Sequence, residues 1–510
     1  MPNPSFDHSF DVVVVGYGFA GGAAAIAAAD AGASVLLLEK MPQPGGISIT
    51  AGGGIRATSD ADKAFAYLQA TNDGRTDEAC IRAIADGMAR TPGMIRELAA
   101  VNGAEVAVRD FPGNYPYPGF DALQMVDIIN VPGFDPATGY PHAKGLKGGP
   151  NVFKVVEDNV NARSNITVKL NSPAKRLLRG PEGEVTGIIA EVDGAETRIE
   201  AKGGVILAAG GFENAPDIQE QFWQLKPVLS AAAPGNTGDG LRMAMSAGAD
   251  LWHMWHFHGS YGFRHPDPAL PNAAIRLKRM PDWRPDGDEG PGDQSRVAPM
   301  CWIVVDRSGQ RYMNEYPPYV QDTGHRMMDA YDPAVQDFSR IPSWIVFDDA
   351  GRQMYPIGQP VFSDPSAHYD WSPDNLKEVE SGLFIQADSL GELAEKMGVS
   401  GNMLSQTVAD WNVAVDAGED PMGRPKAALV PISQPPYYAG HLYPVISNTQ
   451  GGPRHDERQQ VLNPFGDVIP GLYVAGELGS IWGSLYLVGG NLAECFITGE
   501  TAGKEAAGRT

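Results

Sequence analysis

The sequence predicts an α/β chain: a parallel-sheet domain assembled from both ends of the polypeptide, with an α+β segment inserted between them. Three observations predict it. A strand–turn–helix–strand unit opens the chain, apolar runs ending in glycine clusters recur at 203–214 and 462–480, and a helix-patterned stretch, 389–415, lies between them.

The opening run Asp11-Val12-Val13-Val14-Val15 is short and β-branched, as in a strand buried on both faces. The turn GYGFAG follows, with Gly16, Gly18 and Gly21 at GxGxxG spacing. An alanine-rich helix comes next, then the strand SVLLLEK, which ends in Glu39 and Lys40. In such a unit the first glycine makes the tight turn and the second lets a pyrophosphate approach the backbone. The third lets helix and strand pack closely, and the acid accepts hydrogen bonds from a ribose. The helix N-terminus offers its N–H groups to negative charge. Pro44-Gly45-Gly46-Ile47-Ser48 and Ala51-Gly52-Gly53-Gly54 then follow at once. A second glycine-rich stretch at this point favours FAD over NAD, because backbone must lie against the ribityl chain and ring. No histidine lies between residues 9 and 141, so non-covalent attachment is expected.

The back half closes the same site. GGVILAAGGFEN, at 203–214, reads as a strand running into a glycine turn that contains Ala209 and Gly210. LNPFGDVIPGLYVAGELGS, at 462–480, ends a buried strand at Ala475-Gly476-Glu477, and Glu477 is placed to bind a ribityl hydroxyl. The final helix starts beside Gly489 and Gly490 and brings Asn491 and Leu492 to the cofactor. Its N-terminus would stabilise negative charge on a reduced flavin.

Composition excludes other classes. The formal net charge of −23 argues against nucleic acid, whose phosphates need a basic surface. Cys80, Cys301 and Cys495 form no CxxC pair, so neither a disulfide framework nor a zinc site is expected. His253, His256 and His258 alternate with aromatic residues as in a strand lining a pocket, and no metal is assigned to them. No export signal and no membrane span are read, which leaves the cytoplasm as the default compartment.

Taken together, these motifs resemble the fumarate reductase and 3-ketosteroid dehydrogenase flavoprotein superfamily. The resemblance rests on GYGFAG with Glu39, PGGISITAGGG, VILAAGGFEN, and GNTGDGLRMAMSAGA, which contains Asp239. It extends to GQRYMNE, TQGG and IPGLYVAGE. It implies a Rossmann-like FAD-binding domain, 1–249 and 447–510, with an inserted capping domain at 250–446. No CxxCH is present, so electrons are expected to pass to or from an external quinone or redox protein.

The branches of that superfamily differ in what they hold. Fumarate reductases clamp a carboxylate with an arginine before the terminal GGN, where this chain has Leu487. They carry a histidine before the double glycine of TQGG, where it has Asn448 and Thr449. Tyr486 and Gly490 instead have the spacing of the ketosteroid dehydrogenase oxyanion hole. Asn314-Glu315-Tyr316-Pro317-Pro318-Tyr319 is similar to the pattern that carries that branch's tyrosine base, which assigns the role to Tyr319. A tyrosine of ordinary pKa, about 10, needs help to act as a base. Tyr115 or Tyr117 could give it. Arg352 is the acid of the reductase reading or a structural partner of Asp348 or Asp349, and His258 stands near a substrate-binding histidine of the reductases. Trp252, Trp255, Phe257 and Tyr261 suggest an aromatic pocket for a small hydrophobic carbonyl compound. The expected activity is desaturation next to a ketone. The rivals are an ene-reductase and a flavin-stabilised binding protein without turnover.

Overall fold

β1 (His8–Val15), α1 (Phe19–Asp30) and β2 (Val35–Leu38) form the opening βαβ unit. The computed structural model describes residues 6–143, 148–278, 298–316, 320–359 and 364–509. β1 lies parallel to β2, with Val12 opposite Val35 and Val15 opposite Leu38. The strand Ala195–Leu207 pairs with β1 on its other side, and Val468–Val474 pairs in parallel with Ala195–Leu207. Ile166–Lys169 extends the sheet beyond β2. The valines of β1 are buried along the whole run, which explains an unbroken apolar stretch in place of alternation.

Small residues bring the helices into contact. α1 is buried on nearly every side. It packs against the last helix, Gly490–Ala507, where a Cβ on Gly499 would stand 2.6 Å from Ala20 O and one on Gly503 2.3 Å from Ala24 O. Only glycine permits that spacing. A separate three-stranded antiparallel sheet (Ile55–Thr58, Leu123–Asn130, Glu105–Asp110) and two helices, Ala61–Asn72 and Glu78–Ala99, complete the first unit.

The chain divides into two compact units: 1–222, 232–257 and 448–510 in the first, 223–231 and 258–447 in the second. The expected inserted segment was 250–446. Residues 223–231 join the second unit because Leu229 and Ser230 pair in parallel with Val445 and Ile446. That unit is built on a mostly antiparallel sheet in which Tyr437–Thr449 pairs with Ser343–Asp348. The helix-patterned stretch is two helices, Leu390–Met397 and Gly401–Ala417. Ser389 and Ser400 cap their N-termini, and Gly398 ends the first at a φ of 71°. Their apolar faces bury Leu393, Leu404, Val408 and Trp411.

The Asn314-Glu315 motif has a structural use. Glu315 is buried and takes ion pairs from Arg311 and Arg424, both at 2.6 Å, while Asp420 takes a second bond from Arg311, also at 2.6 Å. Burial works against the Glu315 charge, but the two guanidinium groups outweigh it and hold its pKa below the usual range. Pro318 and Tyr319 lie outside the described residues.

Candidate functional site

The site grows from the first turn of the chain. Gly16 has a φ of 102°, and a Cβ there would fall 2.3 Å from Ala208 O. This turn therefore crosses directly over the end of the strand Ala195–Leu207. Gly21 packs α1 onto the same turn, its Cβ position only 1.8 Å from Gly16 O. Glu39 is buried at the end of β2, where its carboxylate accepts from Tyr17 N at 3.0 Å and Met41 N at 2.8 Å. Burial raises its pKa against the pull of those two donors. Lys40 reaches Asp239 at 2.5 Å and Thr237 at 2.6 Å. Ser48 Oγ accepts from Phe19 N at 3.1 Å and so closes the start of α1.

These residues line a cleft in the first unit. Gly16, Gly18, Gly45, Gly46, Ala209, Gly210, Asp239, Glu477, Tyr486, Asn491 and Leu492 share its wall with Glu39, Lys40 and Ser48. A Cβ on Gly46 would meet nothing within 4 Å, and one on Gly18 would meet Ser48 Oγ at 2.9 Å. The wall is bare backbone where a side chain would enter, and the residues present fit an FAD. Gly18, Ser48 and the α1 N-terminus would hold its pyrophosphate, Glu39 a ribose, and Glu477 the ribityl chain.

Four of the expected cofactor glycines act from behind that wall. Gly21 is covered by the first turn. Gly53, at a φ of 83°, has its Cβ position 2.3 Å from Gly148 C. Gly54 abuts Met125 Sδ at 2.8 Å, and Gly476 abuts the Cβ of Ala20 at 2.7 Å. They are needed for close packing of the wall.

At the other end of the cleft, Tyr486 is 5% exposed, and its hydroxyl accepts from Asn491 N at 3.4 Å. The Gly490 N–H donates to Leu487 O at 2.7 Å, so as an oxyanion donor it would first have to leave that carbonyl. Arg56 holds this loop from beneath through Val488 O at 2.6 Å and a bond to Phe111 O, and Asn114 accepts from Val488 N at 2.8 Å. Tyr117 is 39% exposed and Tyr115 half-buried, on a loop of the same unit. Trp252 stacks on His253 with ring centroids 4.7 Å apart, while Trp255 is 42% exposed.

In the second unit, His258 is buried in the strand Phe257–Arg264. Arg352 is tied to Asp349 at 2.6 Å and donates to Asp374 O at 2.8 Å. Burial opposes its charge, yet the Asp349 bond prevails and raises its pKa. That favours the structural role over the proton donor. Among the described residues, no group of three histidines, cysteines, aspartates or glutamates could hold a metal ion, and no helix is long and apolar enough to cross a membrane.

Two acids were missed by reading the sequence. Glu213 and Glu477 are buried side by side, and Thr449 N donates to both, at 2.9 and 3.0 Å. Burial and the neighbouring Glu213 push the Glu477 carboxyl well above its ordinary range. Glu494, wholly buried in the last helix, is the other. Glu213 stood in view in the GGFEN motif. For Glu494 no local signal existed.

The FAD binding domain family matches residues 11–492. The chain is 28% identical to a fumarate reductase (cytochrome) of Shewanella frigidimarina over 98% of its own length and 77% of that protein. It is also 28% identical to a 3-oxosteroid 1-dehydrogenase of Mycobacterium tuberculosis, covering 92% of each chain. The solved 3-ketosteroid delta1-dehydrogenase from Sterolibacterium denitrificans aligns with a TM-score of 0.78 at 25% identity, over 99% of this chain and 100% of that one. With its cleft shaped for the cofactor and the match spanning both halves of the sheet, the chain belongs to the FAD binding domain family and is an FAD-dependent oxidoreductase acting on carbon–carbon bonds.

Proposed function

We propose that this oxidoreductase desaturates the α,β carbon–carbon bond next to a ketone. The observation that carries the reading is Tyr486 in the cleft wall, with the buried Leu487 next to it in the chain, where a carboxylate-binding enzyme would need a cation. A phenol O–H is a suitable donor to a ketone oxygen, whose negative charge grows as the α-proton leaves. Tyr319 takes that proton, a role drawn from the resemblance of its motif. The electrons of the broken C–H bond form the new double bond as the β-hydrogen departs as hydride. Bound FAD supplies the two-electron acceptor for that hydride. Turnover then requires an external acceptor, a quinone or a redox protein. The reverse reaction, saturation of an activated double bond, draws support from Asn491 and the Ala475-Gly476-Glu477 strand end. The Asp349 bridge counts against Arg352 as its acid.

The test is anaerobic mixing of the FAD-loaded chain with 3-ketosteroids and monocyclic ketones. Bleaching of the flavin by at least one of them is expected. Silence with every ketone, together with rapid reoxidation of the reduced protein by enones or acrylates, would replace this reading with the reductive one.

A further inference from the structure

The loop between the strand Val468–Val474 and the last helix is organised around one carboxyl group. Glu494 sits one turn into that helix. Its Oε1 accepts from Ile481 N at 2.8 Å. Its Oε2 accepts from Ser480 Oγ at 2.8 Å, Trp482 Nε1 at 3.0 Å and Asn491 Nδ2 at 3.3 Å. Behind the loop, buried side chains take its carbonyls in turn. Trp252 Nε1 donates to Gly479 O at 3.1 Å, and His455 Nε2 lies 3.0 Å from the same oxygen. His253 Nδ1 meets Ser480 O at 2.8 Å, Asn72 Nδ2 meets Ile481 O at 2.7 Å, and His256 Nδ1 meets Trp482 O at 2.5 Å. The loop is thus gripped by its carbonyls from one side and gathered by a single carboxylate on the other. Its far end carries Tyr486 into the cleft wall, and Asn491, in the first turn of the helix, is bonded to both that wall's Asn448, at 3.0 Å, and Glu494.

We propose that Glu494 is a positioning residue of the flavin cleft: it sets the loop bearing Tyr486 and the Asn491 side chain at the helix start, and its ionisation makes the electron affinity of the bound cofactor depend on pH. A carboxylate in a low-dielectric interior opposes the arrival of further negative charge, and protonation removes that opposition. Burial pushes the Glu494 carboxyl up to about 7 in spite of its four donors. The titratable groups that interact with it are Glu477 at the strand end and Cys495 beside it on the helix; Glu213 lies against Glu477, and His253, His256 and His455 hold carbonyls of the loop. Burial holds Glu477 well above the carboxylate range, lifts the Cys495 thiol and lowers His253 to about 4. A substitution at Glu494 itself separates its effect from theirs.

The experiment is a dye-coupled equilibrium titration of the flavin midpoint potential in the FAD-loaded chain and in Glu494→Gln, from pH 5.5 to 8.5. The expected result is agreement at pH 5.5 and divergence at pH 8.5. At the higher pH the variant should be easier to reduce by tenfold or more in the redox equilibrium, about 30 mV for a two-electron couple. Parallel curves without divergence would overturn the proposal. If Glu494→Gln fails to fold, Trp482→Phe serves. It removes one donor to the carboxylate, so the break in the wild-type curve should move to higher pH. A break that stays in place would equally overturn it.

Discussion

Tyr486 concentrates the catalytic argument at the residue scale. Tyr486→Phe keeps the ring that packs on Trp482, whose centroid is 5.7 Å away, and removes only the hydroxyl. Loss of one oxyanion donor is worth roughly 10²–10³-fold in rate. Stopped-flow flavin reduction by a ketone should slow by that factor while the bound-flavin spectrum persists. An unchanged rate would remove Tyr486 from the chemistry. Glu494 gives a second prediction, this one for stability. Its carboxyl titrates near 7 in the fold against an ordinary 4.5. Between those values the native state holds a proton that the unfolded chain has released, so stability is full below 4.5 and falls as pH rises through 7. The loss is on the order of 3 kcal/mol, and thermal unfolding of Glu494→Gln should lack it. The glycines and Glu39 were legible in the sequence because a turn with fixed spacing writes its own signature. Glu494 was not, since its partners Ser480 and Trp482 become partners only once the loop has folded back onto the helix. Gly490 was legible by spacing alone, and spacing could not say that Leu487 O would claim its N–H.

Element contacts explain which substitutions the scaffold will refuse. α1 and the last helix touch through Gly499 and Gly503, so Gly503→Val must push the helices apart. Overpacking of this kind typically destabilises by about 1–3 kcal/mol. Chemical denaturation should show a loss of at least that size with weakened flavin retention, whereas Gly391→Ala, where a Cβ meets nothing within 4 Å, should show none. In the second unit, Arg424→Met would leave Glu315 buried with only Arg311. Breaking a buried pair by deleting one partner costs roughly 3–5 kcal/mol, and the double variant Arg424→Met, Glu315→Gln should recover part of it. A helix-patterned stretch was readable at 389–415, whereas its division into two serine-capped helices came only from the structure. The grouping of residues 223–231 with the second unit was not legible, because a two-residue strand pairing with a partner more than 200 positions away leaves no local trace.

For the molecule as a whole, the account rests on one FAD cleft built from both chain ends and on the proposal that Leu487 and Asn448 stand where the reductases hold a carboxylate with an arginine and a histidine. Gly18→Val should yield a folded chain without flavin, because its Cβ would crowd Ser48 Oγ, 2.9 Å away, and its branches would enter the space the pyrophosphate needs. Normal flavin occupancy in that variant would contradict the placement of the cofactor. The measurement that tests the central claim most directly is anaerobic flavin reduction by succinate compared with a panel of 3-ketosteroids and cyclic ketones, with reoxidation by fumarate compared with the matching enones. The account predicts that a ketone reduces the flavin and its enone reoxidises it while succinate and fumarate react poorly. Reduction by succinate or reoxidation by fumarate at rates matching the best ketone or enone would contradict it.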